Sequence, residues 1–254
     1  MLRRLLIVAG LVVLCPSAQT QAAIILSVEG PGVSTSSVVG AIMETFAGYS
    51  VGSFTGVNSS AIGTYNSTAG VTIDAVNQHG GIVVPVGTDN FLRTGTGSAT
   101  ITFNSAVGYF GFWLSAGDSG NQVQLTTTSG GTFTFTLDTI VNSGLLTPGL
   151  ITAATPGHFG NPFAPFQTQN PSQPYVYVNL FATDTNSRFT QATFSGGNFE
   201  SDNHTILTSL TDVLGTIVQT QGVTTTVPEP ATMTQLAFGA VSLLGFGWRR
   251  KRLR

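Results

Sequence analysis

Between residues 24 and 226 the chain has no lysine and only two arginines, Arg93 and Arg188. The other seven of its nine basic residues lie at the termini: Arg3, Arg4, Arg249, Arg250, Lys251, Arg252 and Arg254. Two cations against ten acids leave the stretch 24–226 at −8, so the whole-chain value of −2 averages two unlike regions. A body this poor in Lys and Arg cannot grip nucleic acid through its phosphates. It also lacks the basic patch that draws a protein to anionic lipid. Neutral sugars and cations are the compatible partners.

Cysteine is nearly missing as well. Cys15 is the single one, and it falls in an N-terminal segment with the layout of a cleaved signal. Disulfides and a thiol nucleophile are therefore excluded from the body. About 200 residues can bury enough apolar surface without them, and one domain is the simplest count. His79, His158 and His204 are isolated, with no zinc-site spacing. There is no G-x-S-x-G elbow, no EF-hand D-x-D-x-D-G and no repeat of fixed period.

Strand patterns are plentiful. Thr132 to Asp138 alternates, with Phe133, Phe135 and Leu137 on one side and Thr132, Thr134 and Thr136 on the other. Asn121 to Thr128 does the same with Val123 and Leu125, and Tyr175 to Phe181 with Val176, Val178 and Leu180. Thr100 to Phe103 alternates too, and Val107 to Leu114 is a continuous apolar and aromatic run. Turn signals stand between these runs, and Ser129-Gly130-Gly131 reads as a hairpin. With 31 glycines and abundant Thr and Ser, the body is expected to be all-β: a jelly-roll-like antiparallel β-sandwich. No segment within 24–226 reads convincingly as a helix. Ile206 to Val218 is left open, because its leucines sit at helical spacing while its threonines favour a strand. A proline-rich stretch from Pro156 to Pro174 reads as a long ordered loop, with Phe159, Phe163 and Phe166 available to pin it.

Three segments follow: a signal peptide at 1–22, a β-sandwich body at 23–226 and a sorting segment at 227–254. Arg3-Arg4 precede ten apolar residues, Leu5 to Leu14, then small and polar ones, which is the layout of a secretory signal. That apolar run is too short to span ~30 Å of hydrocarbon. Leu14 is too bulky for a lipobox ahead of Cys15. At the other end Val227-Pro228-Glu229-Pro230 precede the 18 residues Ala231 to Trp248, and Arg249-Arg250-Lys251-Arg252 follow. As a helix those 18 residues reach ~27 Å, just short of a ~30 Å core, and read as a transmembrane helix whose basic end snorkels to the headgroups and stays cytoplasmic. This order of parts resembles the PEP-CTERM sorting signal of exosortase-processed bacterial proteins. The resemblance implies an exosortase-type partner acting near Val227–Pro230. It also implies a precursor held in the inner membrane by its C-terminal helix, then a product at the cell surface or in the extracellular matrix. The runs Val107–Asn121, Tyr175–Phe181 and Phe199–His204 are similar to exosortase-dependent surface proteins with a jelly roll loosely like carbohydrate-binding modules.

Chemistry-bearing residues in the body are few. Glu200 and Asp202, two apart on one strand, would lie on one side about 7 Å from each other. Such a pair is one requirement of a glycoside hydrolase, although solvated or cation-bound pairs are the commoner case. Although ordinary turn and edge carboxylates are the plainer reading, calcium is a candidate ion, through oxygen ligands from Glu44, Asp118, Asn121, Glu200 and Asp202. The Glu44 segment would have to pair with the late strand for that. Otherwise no cofactor is expected. Tyr175 and Tyr177 fall on the polar side of their strand, where sugars could stack, although cross-strand bracing is the plainer role. The sequence thus predicts a non-enzymatic surface or matrix protein among extracellular polysaccharides. A carbohydrate-binding module of defined specificity is the alternative, and a glycoside hydrolase the third.

Overall fold

The computed structural model describes residues 23–209, apart from 82, 85–86, 89, 153 and 155, together with 225–228. The expected signal peptide and C-terminal helix lie outside the described residues. Among those described, no helix is long and apolar enough to cross a membrane.

In chain order the strands are β1 (Ala23–Val28), β2 (Ile42–Glu44), β3 (Gly52–Ser53), β4 (Gly56–Ser59), β5 (Gly63–Ser67) and β6 (Thr72–Asp74). There follow β7 (Val83–Val84), β8 (Gly87–Thr88), β9 (Phe91–Arg93), β10 (Ser98–Val107), β11 (Tyr109–Ser115), β12 (Gln122–Thr127) and β13 (Thr132–Thr136). After a short helix α1 (Leu137–Asn142) come β14 (Val176–Ala182), β15 (Phe189–Ser195), β16 (Glu200–Leu207) and β17 (Thr225–Pro228). The larger sheet runs β17-β1-β14-β11-β16-β9-β6-β3, with β2 also on β16. The smaller runs β13-β12-β15-β10-β5-β4, and β7 pairs with β8 in a two-stranded sheet. The protein is an antiparallel β-sandwich, as its alternating sequence predicts.

One core fills the space between the two sheets. Leu26, Phe110, Phe112, Val178 and Leu180 of the larger sheet meet Tyr65, Ile101, Leu125, Phe133, Phe135 and Phe194 of the smaller in one buried cluster. Each such side chain contributes roughly 1.5–3 kcal/mol of burial. The run Val107 to Leu114 is not one strand. Val107 pairs with Phe189 in the smaller sheet and Tyr109 with Phe181 in the larger. The chain therefore changes sheets at Gly108. The hairpin at Ser129–Gly131 forms as read, with Gln122 opposite Thr136. Gly130 takes φ +82° there, a conformation that glycine adopts without a Cβ penalty.

The larger sheet is covered on its second side too. Phe163 of the proline-rich loop packs on Trp113, ring centres 5.8 Å apart, in a small cluster with Ala116, Tyr175 and Tyr177. Nearby Ile25, Tyr109 and Phe181 are closed over by Val38 and Ala41. Hydrogen bonds fix both covers. His158 Nδ1 accepts from the Thr147 amide at 2.7 Å, leaving Nε2–H to donate to the Glu29 carbonyl at 2.9 Å. The Glu29 carboxylate accepts from Ser37 at 2.8 Å and from Asn179 at 3.1 Å. This double covering explains why every residue of β11 is buried.

One element departs from the sequence reading. Helix α1 begins inside the run taken as strand to Asp138: Thr136 caps it, its Oγ1 accepting from the Thr139 amide at 3.2 Å. That bond satisfies an otherwise orphan N–H. Of the segment left open, Ile206 and Leu207 belong to β16, and residues 210 to 218 lie outside the described residues.

Candidate functional site

A cleft of about 310 Å³ opens where β6, β9, β11 and β16 come side by side at one end of the larger sheet. Strand pairing sets its walls. Asp74 lies opposite Phe91, Thr72 opposite Arg93, and Arg93 opposite Glu200. Arg93 Nε donates to Asp74 Oδ2 at 2.6 Å, and its Nη1 donates to Asn198 Oδ1 at 3.2 Å. Across the opening, exposed Asp118 accepts from Gln173 Nε2 at 2.7 Å. Asn77 and His79 complete one rim.

Glu200 is the unusual member. It lines the cleft yet is only 5% exposed. Burial pushes its carboxyl up to about 8, the negative charge of Asp118 adds to the rise, and the Arg93 guanidinium opposes it. At neutral pH the group is mostly a neutral acid, able to give a proton to a hydrogen bond as well as accept one.

The cleft's loops are braced rather than loose. Asn121, 1% exposed, accepts from the Asp118 amide at 2.7 Å and donates to the Gly197 carbonyl at 3.2 Å. Its amide is thereby committed to joining two loops. Backbone meets backbone at that junction, for a Cβ on Gly196 would stand 2.0 Å from the Gly120 carbonyl oxygen. On the other rim the Gln78 carbonyl accepts from Tyr175 Oη at 2.7 Å and from Asn170 at 2.7 Å.

Two of the five residues read as calcium ligands, Asp118 and Glu200, come together in the cleft. Asn121 stands just behind it. The β2 segment does pair with β16, as a shared site requires, but Glu44 lies opposite His204, four residues beyond Glu200. Glu44 Oε1 there accepts from the Phe46 amide at 2.9 Å. Asp202 lies opposite Trp113, fully buried, its Oδ1 accepting from the Asn203 amide at 2.7 Å. Asp202 does not line the cleft. Among the described residues no group of three or more His, Cys, Asp and Glu side chains is placed to hold a metal ion.

The tyrosines require a correction. Tyr175 and Tyr177 are 1% and 0% exposed, so neither presents a ring face to solvent. Their side of β14 is polar in sequence but lies under the covering segments. Tyr177 Oη donates to the Asn203 carbonyl at 3.1 Å, and burial pushes the Tyr175 hydroxyl up to about 12. Tyr175 instead holds up the rim loop that carries Asn77 and His79. Sequence reasoning missed Arg93, Asp74, Asn198 and Gln173. The sole clue was that Arg93 is one of just two cations in the body.

The sorting segment begins on the sheet itself. Strand β17 pairs antiparallel with β1, Val227 opposite Ile24 and Pro228 opposite Ala23. β17 is an edge strand, where a proline without an N–H is tolerated. Glu229, Pro230 and Arg249 to Arg252 lie outside the described residues. Residues 226–252 match the family model of the PEP-CTERM protein-sorting motif. The chain carries that sorting signal. Such a motif implies processing by an exosortase and a secreted, membrane-transiting, surface-sorted protein. No curated protein and no solved structure matches the chain.

Proposed function

We propose that this PEP-CTERM protein is a non-enzymatic component of the cell surface or extracellular matrix. A signal peptide exports it, and the helix read at 231–248 holds the precursor in the inner membrane. An exosortase then cuts near Val227–Pro230, and the sandwich remains among extracellular polysaccharides. The observation that carries this reading is the sorting motif at 226–252. The acidic, lysine-free body supports it by favouring neutral polymers over nucleic acid or anionic lipid. A non-enzymatic role is supported by the sequence of the body, which offers no elbow serine, thiol or zinc-site spacing for catalysis. Mass spectrometry of the protein from its native cell is the test. A mature form that begins near Ala23 and lacks Arg249–Arg254 is expected. A surface protein that still carries the basic tail, or that is sorted normally after deletion of 231–254, overturns the reading.

A further inference from the structure

We infer that the cleft between β9 and β16 is a binding site for one residue of an uncharged saccharide, whose hydroxyls meet Glu200, Asp118, Arg93 and Asn198. This deepens the surface-protein reading and rests on it for the presence of polysaccharide.

The first argument is the state of Glu200. A carboxyl only 5% exposed in the wall of a cleft has lost most of its contact with water, a condition that carries a desolvation cost unless hydrogen bonds replace the water. It faces a cleft of about 310 Å³ rather than a dry core, so a ligand that entered would complete its bonding. That volume is at the small end for ligand sites, roughly 300–1,000 Å³.

The second is the mixture of donors and acceptors. A sugar hydroxyl gives one hydrogen bond and accepts up to two. Asp118 has one carboxylate oxygen engaged by Gln173, leaving the other for a hydroxyl. Arg93 uses Nε and Nη1 on Asp74 and Asn198, so its Nη2 remains to donate. Asn77 and Asn198 add amides along the rim. Neutral Glu200 serves in either sense.

The third is charge. Asp74 is matched by Arg93 at 2.6 Å, Glu200 is largely neutral, and Asp118 remains. An anionic sugar would meet a net negative wall. A divalent cation would find the Arg93 guanidinium among the carboxylates, and among the described residues no trio of His, Cys, Asp or Glu side chains is placed to hold it.

Titration calorimetry of the full-length chain in detergent tests this. The probes are neutral tetrasaccharides with α-1,4, β-1,4 and β-1,3 linkages, a galacturonic acid tetramer, and calcium chloride alone. Saturable binding of at least one neutral probe is expected, with Asp118→Ala weakening it at least about tenfold. Thr134→Ala, on the exposed side of β13 in the other sheet, should bind within about twofold of wild type. Circular dichroism checks that both variants fold; Asp118 is exposed, so its loss should not unfold the sheet. Binding by no neutral probe overturns the proposal, as does neutral binding that Asp118→Ala leaves intact, or a response to calcium or the acidic tetramer only. A chain that is processed near 227–230 but binds no sugar overturns this site and spares the sorting reading. A sugar-binding chain that is never cut does the reverse.

Discussion

The Tyr65 hydroxyl on β5 and His204 Nδ1 on β16 lie 2.8 Å apart, joining the two sheets through the middle of the apolar core. His204 is fully buried, stacks on Phe194 at 4.5 Å and has Ser201 Oγ 3.0 Å from Nε2. A neutral imidazole has one N–H to give and one lone pair to receive with, so the two hydroxyls satisfy it. Tyr65→Phe leaves His204 Nδ1 buried without a partner. A loss of roughly 1–3 kcal/mol is expected. At about 2–4 °C per kcal/mol for a chain this size, a thermal melt will read it. A melting temperature equal to wild type would show that the bond contributes nothing.

Glu200 sets a second test, in pH. Its folded carboxyl titrates at about 8 against an ordinary value of 4.5, so the folded state holds the proton more tightly. The stability linked to that proton is complete below about pH 4.5 and is lost as pH rises through 8. His204 acts in the opposite sense. Burial lowers it to about 3 from 6.5, so its share is complete above about 6.5 and fades as pH falls toward 3. Between about 6.5 and 8 the Glu200 slope therefore stands without opposition from His204. Melting temperature is expected to decline across that window. Glu200→Gln should flatten the decline, the two curves parting by roughly 2–4 kcal/mol at pH 8.5, since one pKa unit is worth about 1.4 kcal/mol. Parallel curves would refute the buried-acid account.

Gly111 offers a packing test. A Cβ there would fall 2.2 Å from Tyr109 Oη and 2.8 Å from the Tyr177 ring. Both tyrosines are fully buried under the covering segments. They have little room to retreat. Gly111→Ala is expected to destabilise by about 1–3 kcal/mol through overpacking. Gly130→Ala is no neutral comparison, because its φ of +82° disfavours a Cβ even though nothing lies within 4 Å of it. Gly197→Ala, with open space and no such φ, is the control and should melt within about 0.5 kcal/mol of wild type.

Processing supplies a fourth. A protease takes its substrate as an extended, free strand, whereas Thr225–Pro228 is already paired to β1. Docking on the sheet thus competes with docking in the enzyme. Thr225→Gly with Thr226→Gly weakens the strand and is expected to speed conversion of precursor to mature form in a pulse-chase. Slower or unchanged conversion would mean that the enzyme reads the segment in place.

Much of the sandwich was legible, and the reasons are local. β12 and β13 alternate cleanly because only one side of the smaller sheet is buried, and their turn carries the glycines it needs. β16 was not legible as buried. Its sequence Glu-Ser-Asp-Asn-His-Thr reads as a solvent face, yet all but the last residue of the strand are buried. Its cover comes from segments distant in sequence, and hydrogen bonds replace apolar patterning. The same long-range cover turned Tyr175 and Tyr177 from expected surface into interior. For the cleft, residue type singled out Glu200 and Asp118, both of which line it. Arg93 and Asp74 depended on the β6-β9-β16 pairing, which no periodicity encodes. Helix α1 hid because Thr, Ile and Val dominate it, residues that favour strands.

β17 has a consequence for assembly. It lies along the outer side of β1, whose sequence Ala-Ile-Ile-Leu-Ser-Val is almost wholly apolar. A cut on the far side of Pro230 leaves that margin capped by the protein's own chain. A cut or later trimming that strips Thr225–Pro228 would bare a row of backbone donors and acceptors, the template on which an extended segment from another copy could seat. The few residues between those two cuts then decide which edge the product presents, β17 with its Pro228 or the apolar β1.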